Sequence, residues 1–329
     1  MKRVLRWFAW ILLGLLALLA LIALCGALFA YFIYSPTPVR PALSGAVQKG
    51  SIQAGGIKRT YISYVPRDLP KGAPLVLVMH GSGQSAADIR VETGYGFERL
   101  ADQHGFAIVY PNSHSFDWND CGKIGDYQVN GRDIDDVGFL NALTDKLVKD
   151  LGTDKTRVFA TGVSAGGFMS LRLALESPAR FRAVAAVSAS VQVPQNFRCK
   201  PASTGGTSVM IMNGTKDPLV PYNGGEVNLL GLFYKCGDVL NARASAQYFA
   251  DLNKITSTPT AQTTAISGVD VERISWKQDA RTEVELVTIH GGGHGLPQPY
   301  YRRARLLGPS PMAPNGAEMI WDFFKRQQP

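Results

Sequence analysis

A mainly parallel α/β sheet with helices on both faces, preceded by one transmembrane helix, is the architecture this sequence predicts. Three observations carry it. Short apolar runs rich in β-branched residues recur at 75–80, 106–111, 157–161, 183–188, 208–213 and 285–290. Helical patterns lie between them, and strands alternating with helices build a parallel sheet buried on both faces. Ahead of all this stand twenty positions, 11–30, without a single charge.

The clearest helix runs over 136–151. Val137, Leu140, Leu143, Leu147 and Leu151 fall on one face, and Asp135 and Asp136 stand at its positive N-terminal end. Further helices are expected over 86–103, 165–177, 239–253 and 316–327, with flanking strands at 61–66 and 271–277. With 329 residues, 46% apolar and 18% charged, the chain can bury a large core, which excludes a disordered tail, a collagen-like fibre and a disulfide-stapled miniprotein.

The net charge of +8 says less about nucleic acid than it seems to. Lys2, Arg3, Arg6 and Arg40 supply four of the 34 basic residues with no acid among them, leaving 30 basic against 26 acidic groups elsewhere. No basic run with interleaved aromatics tracks a phosphate backbone, so no nucleic-acid partner is expected.

The apolar stretch from Trp7 to Tyr34 is long enough for a hydrocarbon layer of about 30 Å. Trp7 and Trp10 mark one interface and Tyr31 and Tyr34 the other. The preceding basic residues hold the N-terminus in the cytoplasm and place the remainder outside it, in the periplasm or at the cell exterior. The alternative is a cleaved signal peptide and a secreted protein, but its apolar region is normally about 7–15 residues. The expected organisation is an anchor over 1–34, a Pro-rich linker over 35–48 and one α/β domain over 49–329. Of the exported cysteines, Cys199 and Cys236 flank one predicted strand and are the favoured pair, with Cys121 left over.

Gly162-Val163-Ser164-Ala165-Gly166 is a G-x-S-x-G motif, with a strand reading into it and a helix reading out of it. That context is what a nucleophile elbow requires. A serine hydroxyl is a weak nucleophile until a base takes its proton and an acid orients that base. His294 is the expected base, in the glycine-rich loop after the last strong strand, and Asp217 the expected acid, just past the strand 208–213. The order Ser164, Asp217, His294 is that of α/β-hydrolases. The backbone N–H of Ala165 and that of Ser82, with Gly83 second to it, are the expected donors to an oxyanion. His80 reads as a residue that fixes its loop. The chemistry calls for no cofactor and no metal.

Six segments then resemble one family, in order. They are His80-Gly81-Ser82-Gly83-Gln84-Ser85-Ala86, His104-Gly105-Phe106 with Val109-Tyr110-Pro111, Asp135-Asp136-Val137-Gly138-Phe139, Thr161 to Gly167, Asn213 to Tyr222 and Gly291-Gly292-Gly293-His294. The family is that of polyhydroxybutyrate-depolymerase-like esterases, which also holds feruloyl and acetylxylan esterases. The resemblance implies an α/β-hydrolase fold and hydrolysis of carboxylic esters through Ser164, Asp217 and His294, on hydroxyacyl, feruloyl or acetyl esters that are small or oligomeric. The family's His-Thr-Trp-Pro is here His294-Gly295-Leu296-Pro297, so an aromatic wall is expected to be missing. Its usual Asn-Gly-Cys is Asn253-Lys254-Ile255. Only 35 residues follow His294, too few for the extra binding domain of secreted polymer-degrading members.

Trp118 and Tyr222 are the candidate substrate contacts. Trp118 lies in the loop 112–134 with Cys121 and Tyr127, and either stacks on an acyl group or packs that loop. Asn228–Tyr234, NLLGLFY, is a lid over an acyl pocket or a plain apolar loop core. Arg302, Arg303 and Arg305 read as a solvated basic face. Acyl transfer to an alcohol, peptide hydrolysis on the same triad and a non-catalytic binding role in the envelope are the alternatives to ester hydrolysis.

Overall fold

A computed structural model of the chain describes residues 2–122, 134–203, 206–228, 231, 235–278 and 282–327. A long helix α1 (Lys2–Phe32) precedes the folded body and buries none of its residues in it. It is long and apolar enough to cross a membrane. After it comes the hairpin β1 (Ala46–Ala54) and β2 (Ile57–Val65). Then follow β3 (Leu75–Met79), the helices α2 (Ala86–Glu92) and α3 (Gly96–His104), and β4 (Ala107–Pro111). The chain continues through α4 (Asp136–Leu151), β5 (Val158–Val163), α5 (Ala165–Glu176), β6 (Ala183–Val187) and β7 (Ser208–Gly214).

A two-strand ribbon, β8 (Gly225–Glu226) with β9 (Asp238–Val239), precedes α6 (Ala242–Leu252). The strands β10 (Thr260–Ile266), β11 (Val269–Gln278) and β12 (Thr282–Ile289), and the helix α7 (Gly316–Arg326), complete the chain. Ten strands form one sheet in the order β1-β2-β4-β3-β5-β6-β7-β12-β11-β10. The six from β4 to β12 are parallel, and the antiparallel pairs lie at both edges.

The central strands are apolar on both faces because both are covered. Leu75, Leu77, Val158, Ala160, Val209 and Ile211 join one core with residues of α4, α5 and α6. Their alternate neighbours Val76, Val78, Phe159 and Met210 join a second core with α2, α3 and α7. In α4, Leu140, Leu143 and Leu147 are buried, and the Asp135 side chain caps the helix by accepting from Gly138 N at 2.7 Å. Asp136 instead pairs with buried Arg59 at 2.6 Å.

Three expectations need correction. The helix pattern over 86–103 is two helices, broken where Gly94 and Tyr95 take positive φ of 59° and 56°. Cys199 is bonded to Cys121, not to Cys236, which ties the loop after β4 to the segment beyond β6. Arg303 is no part of a solvated face: it is buried, while Arg302 and Arg305 are exposed. Arg305 lies over the Tyr31 ring at 4.1 Å, and the Ser35 hydroxyl donates to the Arg302 carbonyl, so the end of α1 rests on this segment.

Candidate active site

Parallel strands bring their carboxyl ends to one edge, and the loop 80–84, Ser164, Asp217 and His294 all follow such strand ends. The loop 80–84 leaves β3, Ser164 leaves β5, Asp217 lies beyond β7 and His294 beyond β12. Ser164 has φ 56° and ψ −121°, a conformation that costs a non-glycine residue energy and places it on a sharp turn. Its neighbours must be small. A Cβ on Gly162 would meet the Gly166 carbonyl carbon at 2.4 Å, and one on Gly166 would meet the Met79 carbonyl oxygen at 2.3 Å. The Ser164 N–H is held by the Val187 carbonyl at 2.9 Å.

Asp217 and His294 meet directly. The Nδ1 of His294 lies 2.9 Å and 3.1 Å from the two carboxylate oxygens of Asp217, with both side chains almost wholly buried. Asp217 Oδ1 also accepts from the N–H groups of Leu219 and Val220, each at 2.9 Å. Burial alone would raise the Asp217 pKa, but His294 and those two N–H groups outweigh it and hold the carboxyl below its ordinary value. A carboxylate facing Nδ1 puts the ring proton there and leaves the Nε2 lone pair free to act as a base.

The loops carrying the pair are laced together. Lys216 N donates to Gly292 O at 2.8 Å, and Gly291 N to Thr215 Oγ1 at 2.8 Å. From the other side, His294 N donates to Leu307 O at 2.7 Å. Gly295 N donates to Ser188 Oγ at 2.6 Å, and Ser188 follows the Val187 that holds Ser164. The base loop and the serine thus hang from adjacent residues at the end of β6. Among the described residues, no hydrogen bond joins the Ser164 hydroxyl to His294. Such bonds are often long in unliganded sites and tighten on substrate binding.

Of the expected oxyanion donors, Ala165 N, at the start of α5, and Ser82 N make no backbone hydrogen bond among the described residues. Gly83 is corrected: its N–H donates to the Phe116 carbonyl at 2.8 Å and is occupied. The loop 80–84 is fixed from several sides. Gln84 Oε1 accepts from Gly81 N at 2.8 Å. His80 is fully buried, and its Nε2 accepts from Ser113 N at 3.1 Å, which leaves Nδ1 to donate to Gly81 O at 2.7 Å. Burial pushes the His80 pKa down to about 4, so it stays neutral as a loop-fixing residue.

Trp118 takes the packing role of the two expected for it. It is 5% exposed, and its indole N–H donates to the His80 carbonyl at 2.9 Å. Tyr222 is half-buried, with its hydroxyl 2.8 Å from Thr288 Oγ1 on β12. Tyr127 and most of the 228–234 segment lie outside the described residues. No group of three His, Cys, Asp or Glu side chains among the described residues is arranged to hold a metal ion.

Sequence reasoning missed four supports. Ser188 carries no local signature, and Gln84 entered only as a member of the resembling segment His80 to Ala86. Asp117 accepts from the Ser82 hydroxyl at 3.0 Å and from Trp118 N at 2.9 Å. Arg303 packs so closely on Gly295 that a Cβ there would lie 1.9 Å from its Nη1, which donates to Leu296 O at 3.1 Å. Only the glycine in His294-Gly295 hinted at that crowding.

Known proteins resemble this chain in sequence and in fold. Residues 60–219 match the family model described as Esterase PHB depolymerase. The chain is 28% identical over 308 residues to "Putative esterase NocK" of Nocardia uniformis subsp. tsuyamanensis, covering 88% of this chain and 86% of that one. It is 26% identical to "Poly(3-hydroxyalkanoate) depolymerase C" of Paucimonas lemoignei, over 71% of this chain and 58% of that one. It is 28% identical to "Probable feruloyl esterase C" of Aspergillus terreus, over 81% and 83%. An acetyl xylan esterase from Aspergillus awamori shares the fold with a TM-score of 0.55 at 17% identity, covering 76% of this chain and 94% of that one. The chain is therefore an esterase with the α/β-hydrolase fold, similar over residues 60–219 to the family described as Esterase PHB depolymerase.

Proposed function

We propose that the chain hydrolyses carboxylic esters through an acyl-enzyme on Ser164, with His294 as general base and Asp217 as its orienting acid. The observation that carries the reading is the buried Asp217–His294 pair at the same sheet edge as the strained Ser164. His294 Nε2 takes the Ser164 proton as Oγ attacks the ester carbonyl. The oxyanion that forms is met by the N–H groups of Ala165 and Ser82. The imidazolium returns its proton to the leaving alkoxide, which departs as an alcohol. Water, deprotonated by His294, then releases the acid and restores Ser164.

The substrate class is that of the relatives: small or oligomeric hydroxyacyl, feruloyl or acetyl esters. Residues 1–34 serve as a membrane anchor and those after them as a linker that ends where β1 begins, at Ala46 rather than at the expected 49; the remainder is an extracytoplasmic catalytic domain.

Initial rates on acetyl, butyryl, hydroxybutyryl and feruloyl esters test the chemistry. Ser164→Ala and His294→Ala each lower kcat by about 10³-fold or more, the scale of losing a member of such a unit. A Ser164→Ala enzyme within tenfold of wild type would overturn the mechanism.

A further inference from the structure

The turn His114–Asp117 has central residues Ser115 and Phe116 at φ 56° and 63°, and Asp117 N donates back to His114 O at 3.4 Å. Positive φ at both central positions belongs to tight hairpin turns that normally take Asn-Gly. A phenylalanine there is a costly choice, and such outliers persist where the surroundings over-determine them. Here they do. The Phe116 carbonyl accepts from Gly83 N at 2.8 Å, Asp117 accepts from the Ser82 hydroxyl at 3.0 Å, and Trp118 donates to His80 O at 2.9 Å. The turn is thereby pinned to the loop that holds the proposed oxyanion donor Ser82.

Its side chain is nevertheless unpacked. Beyond residue 39, only three large apolar side chains among the described residues are exposed, and Phe116, at 63%, is the most exposed of them. Two other apolar side chains on the loops of the site are withdrawn, while Tyr222 stays half-buried with its hydroxyl at Thr288. Leu296, which follows the histidine loop, is 1% exposed in the core beside α7, and Trp118 is 5% exposed. The fold thus fixes the Phe116 backbone, in a strained conformation, against the loop that carries Ser82, and leaves its ring exposed.

We infer that Phe116 is the specificity-determining wall of the cleft, selecting esters whose acyl group presents an aryl ring for it to stack on. This rests on the serine-esterase reading above.

The test measures kcat and KM for methyl 3-phenylpropanoate and methyl acetate, on wild type, Phe116→Gly and Phe116→Trp. Phe116→Gly lowers the aryl-to-acetyl ratio of kcat/KM at least tenfold, about 1.4 kcal/mol, mainly through KM. Its Tm is not lowered, because glycine accepts the positive φ and little buried area is lost. Phe116→Trp keeps the ratio within about threefold of wild type, since the ring face remains. An unchanged ratio in Phe116→Gly, or an equal fall in Phe116→Trp, overturns the inference while leaving acetate hydrolysis, and so the esterase mechanism, intact. A wild-type enzyme that hydrolyses neither ester overturns both.

Discussion

His80 shows how a single residue near a catalytic loop can be structural and still govern a pH response. With Nε2 accepting from Ser113 N, a second ring proton would break that bond, and burial holds the folded-state pKa near 4 against an ordinary 6.5. The unfolded chain takes up a proton as pH falls through 6.5, and the folded chain refuses it. The stability His80 contributes is therefore complete above that pH and is lost on going down to about 4, on the order of 3 kcal/mol. Urea midpoints at pH 7 and 4.5 check this. His80→Gln, which keeps a donor and an acceptor but cannot be charged, flattens the pH dependence; identical slopes in the two proteins would contradict it. Ser164, Asp217 and His294 were legible in the sequence because each follows a strand and sits among glycines that close packing demands. For Trp118 stacking on substrate and packing of its loop stood open, because which face of an aromatic residue is covered is decided by contacts with distant segments. Phe116, exposed beside it, carried no such signal.

At the scale of elements, the central strands were legible because burial on both faces leaves continuous apolar runs. The edges were not. In β1, AVQKGSIQA alternates half-exposed and exposed positions, and only the Gly55-Gly56 turn, with φ of 57° and 76°, announced the hairpin. β10, TAQTTAI, is exposed along its length except at Ile266, which is half-buried. The loop after β4 carries Trp118, one of the candidate substrate contacts. Its described part is the support of the oxyanion loop, held by the Cys121–Cys199 bond and by Arg198 N donating to Cys121 O at 3.0 Å. The pairing was not legible because disulfide partners are set by Cα proximity in the fold, here 5.0 Å across 78 residues of sequence. α1 matches the apolar stretch read from composition. As an uncleaved anchor it stays with the catalytic domain in the membrane fraction, and N-terminal sequencing finds residues before Tyr34. A soluble mature chain beginning near residue 35 would contradict the anchor.

For the molecule as a whole, one rule joins fold to chemistry. Six parallel strands deliver their carboxyl ends to a single edge, so residues 77 and 130 positions apart in sequence, His294 from Asp217 and from Ser164, are positioned by three strands of one sheet. The central claim is that this arrangement activates Ser164. The most direct measurement treats the folded protein with a fluorophosphonate probe and maps the modified residue by mass spectrometry, with Ser164→Ala and His294→Ala alongside. Labelling at Ser164, abolished in the first variant and strongly slowed in the second, is the predicted result. Folded protein that takes no label, or takes it at another residue, would contradict the account.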